Sequence, residues 1–179
     1  MMELKHMIVE KHKEAEATMF FKHLIEKKLP EKIWINFLFN KMLFLSEIET
    51  RLDLNQFGDL PRVDKILDDV VNSNTKQLKV KKATFDYVRY LELLEKEKLF
   101  AHVYVWYMGD LNGGKMIKKI AAGKTTSLDF EDAETLKEKI MSNVNIDMIE
   151  EINYCFDWAI NILTEFESDI LQESSQWQI

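Results

Sequence analysis

A chain of 179 residues, 46% hydrophobic and 31% charged, has the length of one domain and can bury a sizeable core. Its net charge of −7 argues against non-specific nucleic-acid binding, which relies on clustered lysine and arginine. Its one cysteine, Cys155, excludes an intrachain disulfide, and no apolar run approaches the roughly 20 residues of a membrane span. Met1 to Glu16 is charged throughout and does not read as a secretion signal. The expectation is a single-domain cytoplasmic protein whose partners include neither nucleic acid nor membrane.

In chain order, apolar residues recur at helical spacing from Lys5 to Lys27, and Pro30 opens a second helix through about Thr50. Pro61 marks the first turn of a third, which carries Val63, Ile66, Leu67, Val70 and Val71 and ends at Asn72-Ser73-Asn74. Gln77 to Val80 shows the only hint of strand alternation. Thr84 is a candidate cap for a helix through Tyr87, Tyr90, Leu91 and Leu94. Leu99 to Ala122 is apolar on most sides, which predicts a central helix ended by Gly123. Glu131 to Met141 and Ile146 to Leu171 complete an all-α set covering residues 1–179 as one domain.

The central helix contains Gly109, Asp110, Gly113 and Gly114 within six residues. Each glycine costs a helix about 1 kcal/mol relative to alanine. Such a cluster suits a kink, a tight helix crossing, or the approach of something large and flat to the backbone. The spacing alone leaves these open.

The segment His102-Val-Tyr104-Val-Trp106-Tyr107-Met-Gly109-Asp110-Leu-Asn-Gly113-Gly114 resembles the distal-helix signature of heme oxygenases. Every fixed position of His-x-Tyr-x-x-Tyr-x-Gly-Asp-x-x-Gly-Gly is present. About ninety residues earlier, His12-Lys13-Glu14-Ala15-Glu16 matches the family's proximal His-x-x-Ala-Glu context. The resemblance implies an all-α fold with heme held between a proximal N-terminal helix and a kinked, glycine-containing distal helix. It also implies O2-dependent reductive opening of heme to biliverdin at the alpha-meso carbon, with release of CO and Fe2+. Heme would be substrate and cofactor together. Electrons would come from ferredoxin or a reductase, and a bilin reductase is a possible downstream partner.

The resemblance makes His12 the iron ligand, whereas His6, His23 and His102 read, as lone histidines do, as surface residues or satisfied core groups. Glu16, one turn on, is placed to hold the other ring nitrogen of His12, unless it pairs with Lys13. Lys5, two turns before His12, and Tyr104 match propionate-side positions, with a solvated lysine and plain helix packing as their rivals, and Lys137 or Lys139 falls near a third basic position. Phe156 matches an aromatic at the ring edge, with core packing as its rival. Gly109, Gly113 and Gly114 would let backbone approach the heme, and Asp110 would hold a proton-delivering water. Lys115, Lys118 and Lys119 are a candidate docking surface for an acidic electron donor.

Two positions depart from the family's pattern. Trp106 stands where arginine is common, and Met42 aligns with a tyrosine of the distal water network. They motivate a second expectation, a heme carrier without turnover. A di-iron carboxylate protein would need paired Glu-x-x-His motifs, and only Glu3-Leu4-Lys5-His6 has that spacing.

Overall fold

Helices account for all the regular structure of the computed structural model, which describes residues 6–176; no strand occurs among them. The elements are α1 (Val9–Glu16), α2 (Met19–Ile25), α3 (Glu31–Leu52), α4 (Val63–Val71), α5 (Lys82–Leu93), α6 (Leu99–Ile120), α7 (Ala133–Ser142), α8 (Ile149–Thr164) and α9 (Glu167–Gln176). Short 3-10 turns lead into α6 and α8 and follow α3.

The first predicted helix is broken in two. The Thr18 backbone is extended, its hydroxyl donates to Ala15 O at 2.8 Å and accepts from Phe21 N–H at 3.4 Å, so α2 starts afresh. The last predicted helix divides likewise at Glu165 and Phe166. Thr84 is no cap: α5 starts two residues earlier, and the Thr84 side chain is buried inside it.

The segment expected as a possible strand is extended, but it pairs with side chains instead of a ladder. Asn36 Oδ1 accepts from Lys79 N–H at 2.7 Å, Asn40 Nδ2 donates to Lys79 O at 2.9 Å, and Asn40 Oδ1 accepts from Lys81 N–H at 2.8 Å. Two amides one turn apart on α3 thus satisfy backbone groups that water would otherwise hold.

α6 runs unbroken through its glycines and packs on α8 and α7, while α1 and α2 lie against α8. Phe20, Phe37 and Phe166 form an aromatic knot joining α2, α3 and the start of α9, with Phe20 centroids 4.9 and 5.6 Å from the other two. Burial of each ring removes enough apolar surface to contribute about 2–3 kcal/mol.

The far end of α6 is fixed by a polar clasp. Arg62 is wholly buried; its Nε donates to Pro61 O at 2.8 Å, its Nη1 to Asp129 O at 2.7 Å, and its guanidinium lies 4.1 Å from the Phe130 ring centroid. Asp69 accepts from the backbone of Thr126 and Ser127 at 3.0 and 2.9 Å. Leu128 on this connector then meets α6 at Gly114. Gly123, with φ +107°, begins the connector where a Cβ would fall 2.9 Å from Glu31 Cγ, so only glycine fits without displacing that side chain.

Candidate functional site

A cavity of about 380 Å³ is lined by α1, α2 and α6, with α3 and α8 contributing the rest of its wall. A mostly apolar pocket of this size with a few convergent polar groups suits a small-molecule ligand.

His12 and Glu16 face it from α1, one turn apart. The His12 side chain is 57% exposed and its Nδ1 lies 3.5 Å from Glu16 Oε1, longer than a formed hydrogen bond. Glu16 is thus on the right face to hold Nδ1, leaving Nε2 as the nitrogen available to a metal. Lys13 pairs with Glu10 at 3.2 Å, away from Glu16. Phe156 approaches His12 from α8 and also lines the cavity.

From α6 come Tyr104, Gly109, Asp110 and Gly113. A Cβ on Gly109 would meet nothing within 4 Å, and one on Gly113 would meet only Ile117 Cδ1 at 3.7 Å. Both glycines present bare backbone to the cavity. Burial pushes the Tyr104 phenol above its usual pKa, so it acts there as a neutral hydroxyl.

Not every expected residue is gathered here. Gly114 faces away from the cavity: a Cβ there would sit 3.5 Å from Leu128 Cβ, so this glycine serves helix packing. One residue along a helix turns a side chain by about 100°, which separates Gly114 from Gly113. Lys137 pairs with Glu134 at 2.9 Å on α7, and neither it nor Lys139 lines the cavity. Lys5 lies outside the described residues. Lys115 and Lys119 are exposed beyond the cavity, and Lys118 pairs with Asp129.

Asp110 is held by Lys41, a residue that no motif in the sequence marks. Lys41 Nζ donates to both carboxylate oxygens, at 2.6 and 2.7 Å, with the lysine side chain 6% exposed. Met42, its neighbour, which the resemblance sets in the distal network, packs against the core and does not line the cavity. The missed signal was a lone lysine inside the apolar run Ile33 to Leu45. Beside the pair, Tyr107 donates to Glu49 Oε1 at 2.7 Å. Burial raises the Glu49 pKa, outweighing donation from Arg62 N–H, Tyr107 and Val63 N–H.

Behind α6 runs a hydrogen-bonded chain away from the cavity. Trp106 Nε1 donates to Tyr87 Oη at 3.0 Å, and Tyr87 Oη meets His102 Nδ1 at 2.7 Å. His102 Nε2 meets Glu151 Oε1 at 3.0 Å, and Tyr90 donates to the same oxygen. His102 is fully buried with both nitrogens partnered, as expected of a structural histidine. The chain fixes the Trp106 indole on the cavity wall.

A family model described as heme oxygenase matches residues 1–145. Heme oxygenase 2 of Rattus norvegicus is 25% identical over 202 residues, 92% of this chain and 64% of the rat protein's length. The heme oxygenase of Porphyra purpurea is 26% identical over 91% of this chain and 78% of its own. In fold, this chain superposes on heme oxygenase-1 from the cyanobacterium Synechocystis, solved in complex with heme. The TM-score is 0.84 at 21% identity, covering 98% of this chain and 95% of that one. Heme oxygenase from Leptospira interrogans gives a TM-score of 0.79 at 23% identity, covering 90% and 97%.

Proposed function

This chain belongs to the heme oxygenase family, and from that premise we propose that it opens heme to biliverdin, CO and Fe2+, at the alpha-meso carbon. It would do so as one domain spanning residues 1–179. Electrons would come from ferredoxin or a reductase, and a bilin reductase would be a suitable downstream partner.

The observation that carries this reading is the opposition of His12 to bare backbone. His12 presents a free ring nitrogen from one wall, and Gly109 and Gly113 face the cavity from α6, where a Cβ would have open space or a single light contact. A flat macrocycle needs both, and the residues present fit it. Heme held by these residues would supply the redox chemistry, and its own ring would be the substrate.

The chain's residues do the rest. His12 is the proposed iron ligand, oriented by Glu16, with Phe156 bracing its ring. Gly109 and Gly113 allow close approach on the opposite face and bring no acidic side chain of their own. Phe20, Phe37 and Leu163 give the cavity an apolar wall. Tyr104 offers a neutral hydroxyl to a propionate. Asp110 is the proposed holder of a water that passes a proton toward the cavity.

A hemin titration followed by reductant under air tests the proposal. A Soret band of histidine-ligated heme that gives way to the biliverdin spectrum supports it. Failure to take up heme at micromolar protein would end it. A second reading, a heme carrier, is favoured by one observation: both oxygens of Asp110 are bonded to Lys41. Heme uptake with no biliverdin under the same conditions would select the carrier.

A further inference from the structure

Lys41 is the one lysine or arginine among the described residues that line the cavity. It reaches Asp110 from a different helix, α3 against α6, and donates to both carboxylate oxygens. A buried ion pair is poor evidence of added stability, because apolar side chains of similar volume often serve as well. What it does provide is a fixed direction for each charge.

Trp106 stands beside the pair, and its N–H is taken by Tyr87. Its ring centroid lies 5.9 Å from Lys41 Nζ, so the indole face backs the ammonium without replacing it. Both residues line the same cavity.

We propose that Lys41 is the positioning residue of the distal side, fixing the Asp110 carboxylate against the cavity and supplying that wall with its cation. The inference rests on the heme reading above. A carboxylate accepts about four hydrogen bonds. Lys41 takes one on each oxygen, and the remaining sites are open to a water between Asp110 and whatever binds on the distal face. The other titratable groups around the pair are Tyr107 on α6 and its acceptor Glu49 on α3, with His12 and Glu16 across the cavity.

The test uses carbon monoxide on the ferrous heme-loaded protein, read by its infrared C–O stretch. A cation beside bound CO lowers the stretch, and a carboxylate without its cation raises it. Lys41→Met should shift the band upward and lower the biliverdin yield about tenfold, the effect of ~1.4 kcal/mol between competing barriers. Lys41→Arg should keep the wild-type band. Trp106→Arg in the Lys41→Met background should return it, since the cation is restored from the other helix. Should Lys41→Met fail to fold, Lys41→Gln removes the charge while keeping a donor, and the same upward shift is expected. An unshifted band in the neutral variant that folds makes the pair structural only and overturns the proposal. A wild-type protein that takes up no heme overturns both readings, whereas uptake without the shift overturns this one alone.

Discussion

The His12 ring meets Phe156 edge to face, with centroids 6.1 Å apart, where α1 lies against α8. The histidine side chain is more than half exposed and the phenylalanine is 7% exposed, so the two contribute differently. His12→Ala should leave the stability of the heme-free protein within about 0.5 kcal/mol. It should abolish the histidine-ligated heme spectrum. Phe156→Ala should cost about 3 kcal/mol of stability and weaken heme uptake while leaving the ligand spectrum in place. Urea melts and heme titrations of the two variants read both effects. If His12→Ala keeps the spectrum and His23→Ala loses it, the iron ligand is misassigned.

The three α6 glycines should behave differently although they stand within six residues. Gly109→Ala and Gly113→Ala place a methyl at the cavity with little or nothing in contact, so the fold should tolerate them or gain up to ~1 kcal/mol of helix propensity. Heme uptake should weaken in both. Gly114→Ala meets Leu128 at ordinary contact distance and should leave heme uptake unchanged. Parallel loss of heme in all three would mean that Gly114 reaches the site after all.

Much of this was legible beforehand, and the failures have physical causes. α3 and α6 are long apolar segments, so their periodicity outweighs local signals, and Pro30 marks the start of α3 correctly. The break at Thr18 was hidden because Met19, Phe20 and Leu24 continue an apolar pattern across the cap. The extended run before α5 was visible as strand-like alternation, but nothing local announces that Asn36 and Asn40 are its partners. At the site, His12, Gly109 and Asp110 follow from their motifs. Lys41 escaped because no motif marks it, and one residue along a helix turns a side chain by about 100°, which sets Lys41 on the cavity wall and its neighbour Met42 against the core.

Stability should fall as pH drops below neutrality, and His102 is the reason. Burial lowers its pKa below the ordinary 6.5, against the opposing pull of Glu151. Between those values the unfolded chain binds more protons than the folded one, so the contribution is complete above about pH 6.5 and declines as pH falls. Glu151 adds the same sign at lower pH: burial raises its pKa, but the bonds from His102 and Tyr90 outweigh burial and hold it below 4.5. Glu49, raised above 4.5 by burial, has the opposite sign and loses stability as pH rises through its own window. Urea midpoints at pH 7.5 and 5.5 should therefore differ in the wild type. His102→Gln should be weaker at pH 7.5 by about 1–3 kcal/mol and show a shallower dependence. Parallel slopes in the two proteins would assign the effect to other groups.

Loss of Asp110 should separate chemistry from binding, and the pair with Lys41 dictates which substitution to use. Asp110→Ala leaves the Lys41 ammonium buried without its partner, a change that costs about 3–5 kcal/mol when a buried pair is broken. The cavity beside it moderates that figure, since Asp110 is 8% exposed and water can reach the site. Asp110→Asn keeps an acceptor for Lys41 at the same position and should cost less. Neither change touches His12, the glycines or the apolar wall, so heme affinity should stay within a few-fold of wild type in both. The outcome of turnover should not. Without a carboxylate to order the water, protons reach the distal face from bulk and less selectively, which favours peroxidase-type oxidation over ring opening. A difference of ~1.4 kcal/mol between those outcomes moves the product ratio tenfold. Biliverdin yield measured beside oxidation of an added phenol such as guaiacol gives the ratio directly. Asp110→Asn should lower the first and raise the second, and Asp110→Ala should do so more strongly. A wild-type ratio in both variants would show that Asp110 serves only to neutralise Lys41.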